Sequence, residues 1–468
     1  MLFLFRNIKI FQVILLIAFF LVIRLVIYWT NTPLLISELN WMLTGEQMGK
    51  GFMLYRDILQ NIGVLSAVVY WGIDFLFGRS QTAYFLIAGA LGLFQVLYFN
   101  YLCNSRNFFP EGTTVPGLIY AILLHLSTDM LTLSPTLMAT TFLLLSCGVL
   151  ARIIEKPDVG DEIFEAGIYI GMATLFYLPS AFFYIWAFLA MIFYSGARFR
   201  HHMIGLFGSI FPLLMVLLIF FFNNAVDSLN RSLFSTLIQI RSVRVDDLIS
   251  FFFYVAFSLG LGIGGFLRLF GYNRFTYYQT RIQQIMAFWF IFSAITLIFM
   301  SEFKPMDFIL FIPAVAYFIS WLFLSFRNPG AAEGLFLAYL VYSVFALSTE
   351  IFRIIPGLDP GHFDRRIAKA ALLPAEIDGK KILVLGEDEG EYLNNFAATP
   401  YLNWRLSSED FESLDSFESV IQIYNNFEKD PPEYVIDKVG VMPRLLERIP
   451  ELRGKYKTTG WKNIYQRH

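Results

Sequence analysis

Apolar residues run along this chain in long unbroken blocks rather than at amphipathic spacing. The first block, Phe11–Trp29, follows Arg6 and Lys9 and has no small-residue cleavage site behind it. It therefore reads as an uncleaved first span and not as a secretion signal. A hydrocarbon core of about 30 Å takes roughly 20 apolar residues as a helix. On that rule about eleven spans are expected, at 10–30, 80–102, 116–132, 135–153, 163–178, 180–197, 203–222, 248–270, 284–301, 305–325 and 334–354. The segment 163–197 reads either as one bent span or as two short ones meeting at Leu178–Pro179–Ser180. Residues 61–77 carry Asp74 and two glycines, and read either as a crossing or as an interfacial amphipathic helix. With 61–77 interfacial, Lys and Arg fall more often on the side of the N-terminus. The positive-inside rule then puts the N-terminus in the cytoplasm, and residues 36–63 and the C-terminus outside.

The patterning changes at Pro356. "DGKKILVLGEDEGEYL" gives a short buried strand, Ile382–Leu385, a Gly turn and an acidic helix start. A second strand is expected at Tyr434–Ile436, a helix across "VGVMPRLLERIPELRGKY" and a last strand in "WKNIYQRH". Residues 356–468 thus read as a small α/β domain outside the membrane, long enough for its own core. Residues 1–355 read as the membrane domain, with interfacial helices in an outer loop at 31–79.

Composition agrees. The chain is 57% hydrophobic and only 15% charged, against about 25% charged in soluble domains. It is an integral membrane protein. A net charge of −2 gives no reason to expect nucleic acid. Cys103 and Cys147 lie far apart in apolar surroundings and His is scarce, which argues against a disulfide framework or a Cys/His metal site. The glycine run 259–266 lies within a span, where close helix packing is its plain use. "LVLGEDEGE" lacks the full glycine fingerprint of a dinucleotide site.

Against this background one charged stretch stands out, "ISELNWMLTGEQMGKGFMLYRDILQNIG" at 36–63. A helix from Ser37 puts Glu38 on one face with Trp41 and Met42. Glu38 is then either a general base or an acid favoured by the helix dipole behind a Ser37 N-cap. Glu46 can pair with Lys50 at i, i+4. Arg56–Asp57 is either a phosphate or metal site or a local ion pair. Lys304, at an outer span start, can snorkel to lipid phosphate. Arg24 lies two-thirds of the way through the first span, where a charge faces protein or water, with Asp74 and Asp129 as possible partners. His125 and Asp129 either line a cavity or cap a turn. The loop 223–247, with Arg231, Arg241, Arg244, Asp246 and Asp247, is expected as an amphipathic helix that binds headgroups or covers a cavity.

The order of parts is one span, an acidic outer loop with interfacial helices, many further spans and an outer α/β domain. That order resembles the GT-C-type integral-membrane glycosyltransferases, such as the aminoarabinose and protein mannosyl transferases. The resemblance is carried by Ser37–Glu38, "LNWMLTGEQMGKG", Tyr55–Arg56–Asp57, "GVLSAVVYWGIDFLFGRS", "FGRSQTAYFLIAGALG", "FKPMDFILFIPAVAYF" and the closing "PPEYVID…GKYKTTGWKNIYQR". It covers most of the chain, and the order of the motifs is more specific than any one of them. The sequence departs from the family pattern at Ser37, where the leading acid is lost. It departs again at Ile62–Leu65, which lacks the lysine and prolines, at Leu133–Ser134–Pro135, and at Asp307–Phe308, which stands for the usual Tyr.

The resemblance implies a polytopic α-helical, GT-C-like fold. It implies transfer of a sugar from a polyprenyl-phosphate-linked donor to a lipid or cell-envelope acceptor at the outer face of a bacterial inner membrane, with a periplasmic C-terminal domain. Glu38 and Asp57 would be catalytic, Arg56 and Lys304 would hold the lipid phosphate, and Glu46, Arg24 and Asp129 would line the cavity. A divalent metal ion, with Asp57 as its ligand, is an option. The altered acids leave a second reading open, a non-catalytic scaffold of the same fold that assembles with envelope proteins. A transporter would call for paired broken helices and an internal repeat, and the sequence has neither.

Overall fold

The computed structural model describes all residues except 31, 155–159, 195–198, 235–244, 272–274, 300–302, 353–366, 370–372 and 388–389, and gives only the backbone of 194, 234, 246, 247 and 250. The expected domain boundary at Pro356 and the side chains of Arg241, Arg244, Asp246 and Asp247 lie outside the described residues. The chain divides into two compact units. One comprises Met1–Thr32, Thr82–Ile219 and Leu237–Arg365, and the other Pro33–Gln81, Phe220–Thr236 and Arg366–His468. The outer loop expected at 31–79 within a 1–355 domain thus groups with the C-terminal segment.

The first unit is helical and apolar. Among the described residues eight helices are long and apolar enough to cross a membrane, namely Ile10–Tyr28, Gln81–Ser105, Pro135–Ile153, Phe199–Phe222, Phe251–Leu269, Tyr277–Ile298, Pro305–Leu324 and Pro329–Phe352. This is a multi-pass membrane protein. In the most apolar stretch of Pro305–Leu324 94% of the residues are buried and in that of Pro135–Ile153 83%, against 22% for Ile10–Tyr28. The first two are central to their unit, and the third turns most of its apolar surface outward, as a lipid-facing helix does.

Two of the apolar runs read from the sequence are interrupted. The run 116–132 forms the helix Val115–Leu123 and then a 3-10 turn at Thr128–Leu131. The helix stops where His125, Ser127, Thr128 and Asp129 enter, because short polar side chains bond locally to the backbone and compete with the helix. Ser127 Oγ accepts from the Asp129 N–H at 3.4 Å. The segment 163–197 resolves into two pieces, Gly160–Phe176 and, after a 3-10 turn at Leu178–Phe182, Phe183–Tyr194. Pro179 explains the break, since proline disfavours helix in the residue before it and donates no hydrogen bond. The glycine run packs as expected: a Cβ on Gly265 would overlap the carbonyl oxygen of Phe318 on the neighbouring Ile312–Leu324 helix.

The second unit is built on a five-stranded sheet of order β2-β1-β3-β5-β4. The strands are β1 Lys381–Leu385, β2 Phe396–Ala397, β3 Tyr434–Asp437, β4 Tyr456–Thr458 and β5 Ile464–Arg467. Strand β1 pairs in parallel with β2 and β3, and β5 is antiparallel to β3 and β4. The three strands expected from sequence are present. The long helix expected across 439–456 is instead two short helices, Met442–Arg448 and Pro450–Lys455, followed by β4. Pro450 cannot continue the first helix but suits the first position of the second.

Period-two alternation sorts the sheet's two faces. Leu383, Leu385 and Val435 pack with Phe411, Ile423, Phe427, Leu445 and Leu452. Ile382, Val384, Tyr434 and Ile436 pack with Leu39, Leu43 and Ile58. The helix Ile36–Gly49, which follows the first span, is therefore part of the core of the C-terminal sheet. It also lies against the helix Val64–Phe77, which at 14 residues is too short to span and agrees with the interfacial reading of 61–77. Trp41 stacks on Tyr70 with ring centroids 5.4 Å apart. At the crossing a Cβ on Gly45 would sit 2.6 Å from the Tyr70 carbonyl oxygen. Backbone cannot swing aside as a side chain can. We therefore expect Gly45→Val to lower the melting temperature, at a cost of about 1–3 kcal/mol for overpacking, with a smaller drop for Gly45→Ala. Equal melting of wild type and Gly45→Val would refute the close approach.

Candidate functional site

Glu38 stands in the first turn of Ile36–Gly49 and is buried, 3% exposed. The helix begins two residues earlier than an N-cap at Ser37 would allow, with Leu35 in the capping position. Leu35 is held extended by pairing with Ile367, and the Ala368 N–H donates to the Leu34 carbonyl at 2.8 Å. That long-range bridge fixes where the helix starts and puts Ser37 inside the first turn. Trp41 and Met42, expected on the Glu38 face, are buried with it.

The Tyr55–Arg56–Asp57 step is tightly made. Tyr55 has a φ of 67°, a left-handed conformation that is a true outlier for a bulky residue. Its N–H donates to the Ile58 carbonyl at 2.9 Å and its hydroxyl to the Ile62 carbonyl at 2.5 Å. Asp57 is buried at 7% exposed. Its Oδ1 accepts from Arg56 Nε at 3.1 Å and Lys429 Nζ at 2.6 Å. Its Oδ2 accepts from Arg56 Nη2 and from the Met53 N–H, both at 3.0 Å. A carboxylate offers about four acceptor positions, and all of them are occupied here. Arg56 also donates from Nη1 to the Asn223 carbonyl at 3.3 Å. Lys429 ends the helix Phe417–Lys429 of the C-terminal segment, so Asp57 ties its own loop to that segment. The Leu59 N–H adds a second tie to the Pro400 carbonyl at 2.9 Å.

Burial pushes the Asp57 carboxyl up, but hydrogen bonds from Arg56, Lys429 and Met53 outweigh burial and hold it below its ordinary value of 3.8. A carboxyl depressed by folding stabilises the protein above its unfolded pKa, and the gain is lost as pH falls through the folded value. The melting-temperature advantage of wild type over Asp57→Asn should therefore be full at neutral pH and should shrink as the pH drops below about 3.8. An advantage that stays constant to pH 2 would contradict this linkage.

Glu46 pairs with Lys50 at 2.7 Å, as the i, i+4 spacing predicts. It also takes Arg79 Nε at 2.6 Å, and Arg79 in turn donates to the Tyr392 and Asn395 carbonyls at 2.9 Å. Nothing in the local sequence around 79 pointed to that role. Arg231 of the outer loop reaches Asp410 at 2.6 Å, within the same unit. Among the described residues of the loop its surroundings are a single helical turn, Val226–Leu229, and a π-turn, Asn230–Phe234. Desolvation raises the Asp410 carboxyl even though Arg231 opposes it.

The remaining candidates belong to the membrane unit. Arg24 is buried and donates to the Leu131 carbonyl at 2.7 Å, a backbone partner in place of the expected carboxylate. Its guanidinium lies over the Phe85 ring at 4.9 Å and faces Gly89 and Gly92. Asp129 is fully buried in the turn that supplies Leu131. The same turn is held by Glu350, which accepts from Ser127 Oγ at 3.0 Å and the Thr128 N–H at 2.6 Å. Glu350 was not singled out from sequence, because a lone acid near a span end carries no local pattern. Lys304 is half-buried, and its backbone N–H donates to Asp307 Oδ2 at 2.9 Å. Asp307, found where the resemblance calls for Tyr, thus caps the turn that Lys304 opens. His125 Nδ1 lies 2.7 Å from the Ala121 carbonyl, the i−4 position of its own chain.

Among the described residues no group of three or more His, Cys, Asp or Glu side chains converges as metal ligands would. Asp57 has no acceptor position left for a cation beyond Arg56, Lys429 and Met53, so the residues present do not fit the expected metal option.

The fold is that of the GT-C-type membrane glycosyltransferases, with a small C-terminal α/β domain. The archaeal oligosaccharyltransferase AglB from Archaeoglobus fulgidus, solved with an inhibitory peptide and a dolichol-phosphate, matches 98% of this chain and 75% of its own at a TM-score of 0.50 and 11% identity. ArnT from Cupriavidus metallidurans, solved bound to undecaprenyl phosphate, matches 93% of this chain and 88% of its own at a TM-score of 0.52 and 13% identity. At such identities the likeness is one of fold. No protein-family model matches the chain, and no curated protein matches it by sequence.

Proposed function

We propose that this protein transfers a sugar from a polyprenyl-phosphate-linked donor to a lipid or cell-envelope acceptor, at the outer face of a bacterial cytoplasmic membrane. The observation that carries the reading is the fold, which matches over 93% of the chain a structure solved with undecaprenyl phosphate. In the reaction an acceptor hydroxyl attacks the anomeric carbon and the bond from that carbon to the phosphate oxygen breaks. The hydroxyl proton passes to the Glu38 carboxylate as general base. The polyprenyl phosphate leaves with the bonding electron pair, its charge met by Arg56. Asp57 acts here as a positioning residue that orients Arg56. Lys304, in the membrane unit, contacts lipid phosphate by snorkelling. The C-terminal domain is periplasmic on this reading.

One observation favours the rival scaffold reading. Asp57 is saturated with hydrogen bonds and Leu39 and Leu43 sit in the sheet's core, so the first outer loop has a structural use independent of chemistry. The purified protein in nanodiscs, given polyprenyl-phosphate-linked sugars and envelope lipids, separates the two. Release of free polyprenyl phosphate supports transfer. No release alongside an active control transferase would favour a scaffold and turn the search to protein partners.

A further inference from the structure

We propose that Lys429 and Arg56 form one phosphate-binding pair, bridged by Asp57, so that the C-terminal segment supplies half of the site's positive charge. That a lipid headgroup is the source of the phosphate rests on the transfer reading above.

The charge balance points outward. Asp57 is 7% exposed at its side chain, whereas Arg56 is 42% and Lys429 49% exposed. The carboxylate is buried beneath two half-exposed cations, and the three groups together carry a net charge of +1. Asp430, next in sequence to Lys429, does not cancel that charge. It is committed to Lys381 at 2.6 Å and to the N–H and hydroxyl of Thr399 at 2.8 Å each.

Donor arithmetic agrees. Arginine carries five N–H donors and lysine three. Nε, one Nη2 hydrogen and one Nη1 hydrogen of Arg56 are used on Asp57 and the Asn223 carbonyl, and one hydrogen of Lys429 on Asp57. Each cation keeps two further hydrogens. Arg56 Nε and Lys429 Nζ share a single acceptor, Asp57 Oδ1, so the two cations stand within the reach of one phosphate group. Phosphate esters carry oxygens enough to take both, and charge-assisted bonds from Arg and Lys are the usual means of holding them. The Phe52 ring lies 6.0 Å from Lys429 Nζ and limits where that amine can swing. The left-handed turn at Tyr55 fixes the backbone from which Arg56 projects.

The test uses the full-length protein in nanodiscs and three probes: polyprenyl monophosphate, inorganic phosphate and uncharged polyprenol. Lys429→Met and Arg56→Met should each weaken polyprenyl monophosphate binding about tenfold, and Lys429→Arg should restore it. Polyprenol binding should not change, and Lys455→Met, on the same domain, should bind as wild type. Wild-type affinity in Lys429→Met, even with a lowered melting temperature, would overturn the proposal and leave a structural clamp. A second readout needs no mutation. Polyprenyl monophosphate should protect Lys429 from acetylation in the wild-type protein but not Lys455, and absence of protection would also overturn the pair. If inorganic phosphate protects as well as the lipid does, the pair stands while the lipid assignment fails. If the lipid alone binds and no sugar is transferred, the pair stands and the transfer reading fails.

Discussion

Glu38→Gln is expected to cut sugar transfer about 10²- to 10⁴-fold, the range for losing a general base, while donor binding stays at the wild-type level. Gln keeps the volume and the hydrogen-bonding shape of the buried side chain and removes only its ability to take a proton. The first turn around it is held rigidly. Leu35 pairs with Ile367, and Leu39 and Leu43, just beyond Glu38, belong to the core beneath the sheet. Neutralising the side chain should therefore leave the backbone in place. The dipole of a helix N-terminus also favours a negative charge at this position. The decisive measurement is single-turnover release of polyprenyl phosphate with donor saturating, because it isolates chemistry from binding. Full-rate release by Glu38→Gln would remove Glu38 as the base. An unchanged melting temperature together with lost turnover is the pattern that a purely structural acid would not give.

Asp57→Ala should clearly destabilise the protein. It removes the acceptor shared by Arg56, Lys429 and the Met53 N–H, and leaves two cations facing each other. Breaking a buried ion pair by deleting one partner costs about 3–5 kcal/mol. Both cations here are roughly half exposed, so solvent screens part of that, and about 1–3 kcal/mol is the expected loss. The Tyr55 turn amplifies the effect. A left-handed bulky residue costs of order 1–3 kcal/mol and persists only where its surroundings hold it. The Asp57 N–H bond to the Met53 carbonyl, at 2.8 Å, closes the same loop. Melting of the Asp57→Ala, Lys429→Met and double variants gives a coupling energy. The two changes should be strongly non-additive. Strict additivity would mean that the 2.6 Å contact carries no energy.

Much of the architecture was legible along the chain, and for a local reason. A membrane span must be apolar over its whole length and a strand buried on both faces reads as a short continuous apolar run, so both write their burial into consecutive residues. Ile382–Leu385, Tyr434–Ile436 and the long spans were readable that way, and so was the Glu46–Lys50 pair, since i, i+4 is a fixed geometry. The same rule overreached at 116–132, where apolar content continues past the point at which polar side chains end the helix. It also overreached at 439–456, where amphipathic spacing hid the break at Pro450.

The candidate site was only half legible. Sequence alone picked out Glu38, Arg56 and Asp57 as charges in a greasy chain and put them in one loop. It could not say what they touch. Lys429 lies 372 residues from Asp57, Arg79 meets carbonyls more than 300 residues away, and Ile367 sets the start of the Glu38 helix. Hydrophobic patterning is a property of neighbours in sequence, and so the strands and the membrane class were legible in it, while the eleven expected spans stand against eight long apolar helices among the described residues. Ion pairing and burial of a charge depend on which distant segments close on one another. Only the tertiary structure could decide that Asp57 is a saturated clamp, that Ser37 is no cap, and that the first outer loop is built into the core of the C-terminal sheet.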